Sequence, residues 1–265
     1  MKTIYGIALD IANNMGETYV PLQNTTLNEK YSVGTRQPTK NPLLKYFNIG
    51  VKVSNTQLQV NNTFKLNRFK HTPFDGVLTK PLPFRMVPIS KRLTTVEASQ
   101  YVLEVIEIYD GVQYYCYYVK TFDSSTDIRY IEAELKDGKT EINLMIKNNT
   151  AVLQPHEGRD LSAFNLHEGN YIAVSKPITM QLTPVELTNI EEAFTIIYPA
   201  EQKVIGEIGL VSGDLHTTTE AYKACNCLQI NTFLEVDIDV VENKEHGIAK
   251  IIEIGGMELM SKSGL

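Results

Sequence analysis

Three carboxylates alternate along a β-rich run at Glu235, Asp237 and Asp239, with Leu234, Val236, Ile238 and Val240 filling the opposite parity. Alternation places all three on one strand face, where grouped carboxylates can relay protons or hold Ca²⁺. A solvated face opposite a dry one has the same pattern, and that reading is preferred. Cys225 and Cys227 share a face by the same rule, with His216 shortly before them. Structural zinc sites set one Cys pair against a second pair, and the sequence has no second pair, so core-facing thiols are expected. The five histidines, at 71, 156, 167, 216 and 246, all lie in polar, loop-like contexts. Nucleophilic catalysis has no GxSxG elbow; Val211-Ser212-Gly213-Asp214 lacks the glycine spacing. Neither a GxxxxGK[ST] loop nor a helix-opening GxGxxG is present. The expectation is therefore a non-enzyme with no cofactor, no metal and no catalytic residues.

Charge and composition narrow the remaining classes. With 25 Lys and Arg against 31 Asp and Glu, the net charge of −6 does not suit a binder whose affinity comes from neutralising phosphates. No specific nucleic acid is expected. No apolar run approaches the roughly 20 residues that span a bilayer, so no membrane is expected. Asp10 interrupts the only stretch resembling a secretory h-region. Three cysteines argue against a disulfide framework and for synthesis in a reducing compartment.

Residues that could bind rather than catalyse depend on the elements that carry them. With 14 Tyr, no Trp and dense Val, Ile and Thr, strands should outnumber helices. YVLEVIEIYDGVQYYCYYVKTF centres on Asp110-Gly111, a two-residue hairpin turn. Its register sets Tyr109 opposite Val112, Glu107 opposite Tyr114, Val105 opposite Cys116 and Leu103 opposite Tyr118. Both faces are apolar, so the ribbon is expected to be buried on both sides or covered by another chain. A second hairpin turns at Lys136-Asp137-Gly138-Lys139. One helix is marked by Thr183 as N-cap, Pro184 in its first turn, Glu186 completing a capping box and Leu187, Ile190 and Phe194 as its stripe. A shorter helix is expected to start at Thr94 or Thr95. Residues 1–40 open on a short apolar stretch, Ile4 to Ile11, continue as a polar segment broken by Gly and Pro, and read as an extended arm that wraps its own domain or orders against a neighbour. Residues 41–265 form the β-rich structural domain, with a candidate split near 151–170. The fold class is mainly β, a sandwich or barrel-like core of antiparallel strands with one or two short helices.

The expected interaction residues are Tyr19 and Tyr31 in the arm, Tyr114, Tyr115 and Tyr117 on the ribbon, and Lys65, Arg68 and Lys70. The last three lie in a stretch where basic residues alternate with Phe64, Phe69, Phe74 and Phe84, a composition able to stack on nucleic acid or sugar. Its several prolines favour an extended connection pinned to the core by its Phe side chains. The basic stretch and the acid-rich residues 186–258 are unlike regions that would favour head-to-tail contacts between copies.

Three patches carry a family resemblance. KYFNIGVKVSN (45–55), PLPFRMVPIS (81–90) and KVIGEIGLVSGD (203–214) resemble, in order, the isoleucine-glycine segment, the arginine-containing strand and the Glu-Ile-Gly-Leu strand of tail-fibre, baseplate and adaptor domains of tailed bacteriophages. The resemblance implies a structural virion protein of the tail, baseplate or neck, assembled in the host bacterial cytoplasm. Its implied partners are copies of itself in a symmetric ring or multimer and other virion proteins. The alternative from another class is a carbohydrate-binding or glycan-degrading β-domain, with Tyr114 to Tyr118 as stacking surface.

Overall fold

β-Branched and aromatic residues dominate the regular positions, and the protein is mainly β, with antiparallel sheets and a few short helices. The computed structural model describes residues 1–52, 56–60, 63–67, 71–124, 128–136, 139–147, 154–156, 169–215 and 225–260. Of these, 56–67, 129–147, 154–156, 169–173 and 256–260 are described by backbone alone. In chain order the elements are α1 (Ile4–Met15), α2 (Leu27–Tyr31), β1 (Leu43–Val51), β2 (Thr56–Val60), β3 (Thr63–Asn67), β4 (Pro81–Leu82) and β5 (Arg85–Pro88). A single 3-10 turn (Ile89–Lys91) leads to α3 (Thr95–Ala98), β6 (Tyr101–Tyr109), β7 (Val112–Thr121) and β8 (Asp123–Ser124). There follow β9 (Ile128–Lys136), β10 (Lys139–Lys147), β11 (Gln154–His156), β12 (Gly169–Leu182) and α4 (Pro184–Ile197). The last are β13 (Val204–Leu215), β14 (Cys225–Asp239), α5 (Val240–Asn243) and β15 (Ile248–Met260).

The chain divides into two units, Met1–Phe122 with Gln181–Ile248, and Asp123–Met180 with Ala249–Leu265. The borders therefore fall after 122, 180 and 248, not near 151–170. In the first unit the strand order is β14-β13-β1-β7-β5, with β4 also on β1 and β6 also on β7. In the second it is β11-β10-β9-β12-β15, with β8 on β12. The predicted second hairpin is there: Lys136 pairs with Lys139 and the ladder runs to Ile128 and Lys147.

Residues 1–40 wrap their own unit, as one of the two readings has it, but through two helices and not as an extended arm. Thr3 caps α1 by accepting from the Gly6 amide, and Gly16 ends it in the left-handed region at φ +68°. Thr26 and Glu29 form a capping box on α2. Both helices lie on their own unit because β14 is a sheet edge that needs a cover. The Thr3 amide donates to the Asn231 carbonyl at 2.8 Å, and the Phe233 amide to Met1 at 2.8 Å. Farther along, Asn28 accepts from the Leu228 amide at 2.6 Å and donates to the Cys225 carbonyl at 3.0 Å.

The first and third resemblance patches are strand partners. β1 and β13 pair Gly50 with Glu207, Ile49 with Ile208, Asn48 with Gly209 and Phe47 with Leu210. Gly50 has no Cβ because the Glu207 carboxylate occupies that space; a Cβ there would sit 2.5 Å from Oε1. Gly209 likewise leaves room for the Asn48 side chain.

The core of this unit packs Phe47 edge-on to Phe84 at 5.1 Å and Tyr101 against Tyr117 at 5.3 Å. α4 has the predicted cap, capping box and N-terminal proline, and buries Leu187, Ile190 and Phe194. Its capping Glu186 is itself buried and accepts from Lys120 Nζ at 2.7 Å and Tyr101 Oη at 2.6 Å. The first ribbon keeps its predicted register near the turn, with Tyr109–Val112, Glu107–Tyr114 and Val105–Cys116 pairs. Beyond Glu104 it departs: Leu103 pairs with Val119, not Tyr118. Bulges at Tyr118 and Val102 shift the ladder out and back.

Candidate functional site

The ribbon β6–β7 ends in Asp110 and Gly111, at φ +49° and +78°, the backbone of a two-residue hairpin turn. Such a turn makes Tyr109 and Val112 a hydrogen-bonded pair, so bonding alternates back along β6. Tyr109, Glu107 and Val105 direct their backbone groups at β7; Ile108 and Ile106 direct theirs away from it. No strand among the described residues pairs with that side of β6. A groove of about 530 Å³ runs along this edge, floored by Val102 to Ile106 and walled by Tyr31, Val33, Tyr115 and Cys225.

Tyr31 stacks on Tyr118 with ring centroids 4.8 Å apart, which fixes the far wall against the ribbon. The Tyr118 hydroxyl donates to Glu107. Glu104 accepts from Arg92 Nε at 3.1 Å and Nη2 at 2.9 Å, and from the Tyr117 hydroxyl at 2.9 Å. Arg92 also lies 5.1 Å over the Tyr115 ring. Ile106 and Ile108 are 52% and 63% exposed on one ribbon face.

A second outward surface lies on α1. Tyr5, Leu9 and Ala12 face the core, yet Ile7, Ile11 and Met15 form a second apolar row at 46%, 56% and 69% exposure. Spacings of four residues stack these three side chains on one face, over about 12 Å of helix. A helix with solvent on its outer side normally carries polar residues there.

The polar cluster nearest to catalytic character is a clamp. His71 Nε2 meets Glu207 Oε2 at 2.5 Å and its Nδ1 meets Asp75 Oδ2 at 3.2 Å. Burial depresses the imidazole, but the two carboxylates outweigh it and hold His71 above its ordinary range. Glu207 also accepts the amides of Thr79 at 2.9 Å and Lys80 at 3.3 Å. The His71 ring stacks on Phe233 at 3.8 Å. With both ring nitrogens engaged by carboxylates, this histidine fastens residues 71–80 to β13. A cavity of about 420 Å³ beside it is lined by Met1, Phe233, Leu234 and Glu235.

Residues 1–264 match a family of unknown function, DUF7208. The chain belongs to that family. No curated protein and no solved structure matches it.

Of the expected interaction residues, Tyr31 and Tyr115 come together in the groove from 84 positions apart in sequence (115 − 31). Tyr114 is half-buried beside it on β7, opposite Glu107. Tyr19 and Tyr117 are corrections. Tyr19 packs with Leu9, Ala12 and Cys227 and bonds Gln229, and Tyr117 is fully buried. Lys65 lies on β3, described by backbone alone, and Arg68, Lys70 and His216 lie outside the described residues. Of the ribbon tyrosines in the glycan reading, Tyr117 and Tyr118 are buried, and Tyr114 and Tyr115 are half-buried. Of the three alternating carboxylates, Glu235 lines the cavity beside His71 and the other two have local partners. Asp237 pairs with Lys52 at 2.7 Å and Asp239 caps α5 by accepting from the Val241 and Glu242 amides.

The two β14 thiols do not share a face as expected. A bulge with Cys227 at φ +50° sets Cys225 against Gly213 and Tyr46, while Cys227 joins Leu9 and Tyr19. Burial pushes both thiols up to about 12, so they are protonated, inert core groups at neutral pH. Sequence reasoning missed the α1 stripe. The available signal was a cap pair, Thr3 and Gly16, bracketing an apolar run.

Proposed function

We propose that this chain is a non-enzymatic structural component of a tailed-bacteriophage particle, in the neck, tail or baseplate, acting by contacts with copies of itself and other virion proteins. The assembly part of this reading rests on one observation, the outward row Ile7, Ile11 and Met15 on a helix whose other face already packs into the core. Apolar surface kept outward on a capped, regular element marks a place that another protein covers. The particle class rests on the isoleucine-glycine and Glu-Ile-Gly-Leu patches. The two patches pair with each other through Gly50 and Glu207, so they form one structural unit.

Light scattering on the purified chain, across a concentration series, tests the assembly reading. A multimer is expected for the wild type, and Ile11→Lys should dissociate it at least tenfold more readily with unchanged circular dichroism. A wild-type chain that stays monomeric at high concentration, alone and with neighbouring virion proteins, would overturn it.

A further inference from the structure

We propose that the open edge of β6 accepts an extended segment of a partner polypeptide as an added antiparallel or parallel strand. The proposal deepens the assembly reading and rests on it for the partner being a protein.

Two edges of the first unit's sheet, β14 and β6, differ among the described residues. β14 is covered by its own residues Met1 to Thr3, and by Asn28 and Thr35. β6 has no such cover on the side away from β7 among the described residues. Exposed edges are ordinarily blunted by lysine, proline or charge pointing inward. Here the outward-bonding positions are Ile106 and Ile108, both apolar and exposed. Their amides and carbonyls are spaced to pair with one extended chain.

The space agrees with that occupant. A residue added to a sheet fills about 4.8 × 3.4 × 10 Å, roughly 160 Å³, so the groove of about 530 Å³ holds about three. Farther along, Ile106, Ile108 and Tyr115 lie on one ribbon face, which alternate apolar side chains of the guest would cover.

Charge sets the guest's polarity. Residues 101–119 contain Glu104, Glu107 and Asp110 and no lysine or arginine. Arg92 neutralises Glu104 at the inner end, Glu107 is engaged by the Tyr109 and Tyr118 hydroxyls, and Asp110 is exposed at the turn. The guest is therefore an extended segment with apolar residues at alternate positions and a basic residue at the end nearest the turn.

The test uses the full chain and a pool of heptapeptides with Val, Ile, Leu or Phe at alternate positions, Thr between them, and Lys or Glu at one end. Binding is read by fluorescence polarisation, and amide exchange is followed at Ile106 and Ile108. Lys-ended members are expected to bind, to slow exchange at both amides at least tenfold, and to lose at least tenfold in affinity when N-methylated along one edge but not the other. Asp110→Asn, which keeps a turn-forming side chain, should reduce the preference for Lys-ended over Glu-ended peptides. Ile106→Lys should abolish binding, with circular dichroism confirming the fold.

No binder at millimolar peptide, equal tolerance of N-methylation on both edges, or unchanged exchange at Ile106 and Ile108 would each overturn strand acceptance. If that happens while Ile11→Lys still dissociates the multimer, the assembly reading stands alone. If peptides bind to a chain that never multimerises, the α1 reading falls and strand acceptance survives.

Discussion

His71 shows how one side chain holds a non-regular segment in place. As imidazolium it can donate to Asp75 and Glu207 together; as neutral imidazole it has a single N–H and must present a lone pair to one carboxylate. Because its folded-state pKa is raised, its stabilisation is complete below the ordinary value of 6.5 and is lost as pH rises through the folded value. Thermal melts of wild type and His71→Gln should therefore differ most at pH 6 and converge as pH is raised toward 9. A gap that grew with pH would contradict the clamp. Lys120 and Glu186 form the other demanding contact, both side chains nearly inaccessible and 2.7 Å apart. Burial raises the Glu186 carboxyl, but the Lys120 ammonium and the capping bonds outweigh that and hold it low. Lys120→Met leaves Glu186 buried without its counter-charge, a loss of about 3–5 kcal/mol, to be read from the denaturant midpoint.

At the scale of elements, the caps decide what the first residues become. The Thr3 hydroxyl accepts from the Gly6 amide at 3.1 Å and donates to the Ile230 carbonyl at 2.8 Å, so one side chain starts α1 and docks it on β14. Thr3→Val keeps the shape and removes both bonds, and should cost about 1–2 kcal/mol. Faster exchange confined to the first turn of α1 and to residues 230–233 is the expected signature. A reading of Ile4 to Ile11 as a short apolar stretch before a polar, Pro-punctuated segment missed this helix because Asn13 and Asn14 weaken its pattern and both its faces carry apolar residues. Periodicity finds a helix only when one side is polar. α4 was legible for the opposite reason: its cap, proline, capping box and single stripe all agree.

The whole molecule separates into two units that the chain enters and leaves by strands. Phe47 lies in the core of the first, and Phe47→Ala should cost about 3–5 kcal/mol there. Exchange mass spectrometry is expected to show lost protection over 43–51 and 204–215, with 128–147 retained. Equal loss everywhere would mean that the units unfold together. The unit borders were not legible, since 180 and 248 fall within strands and 122 is a single residue between two strands. Only long-range pairing defines them. The net charge of −6 is likewise a sum over the chain and says nothing of the acidic ribbon end that selects a basic guest.

Sequence alone determined the mainly β character, the Asp110-Gly111 turn, the pairing of the second hairpin's strands, the ribbon register near Asp110-Gly111 and the capped helix at Thr183. Each depends on contacts a few residues apart, where residue type sets backbone conformation directly. Tertiary structure decided which tyrosines are surface and which are core, and turned the two β14 thiols apart through a bulge. It also folded the supposed arm onto β14 and left one side of β6 unpaired among the described residues. Those outcomes depend on residues 100 or more positions apart, as with Asn28 and Leu228 (228 − 28 = 200). Their meeting is set by packing the whole chain, a constraint that no local pattern of residues encodes.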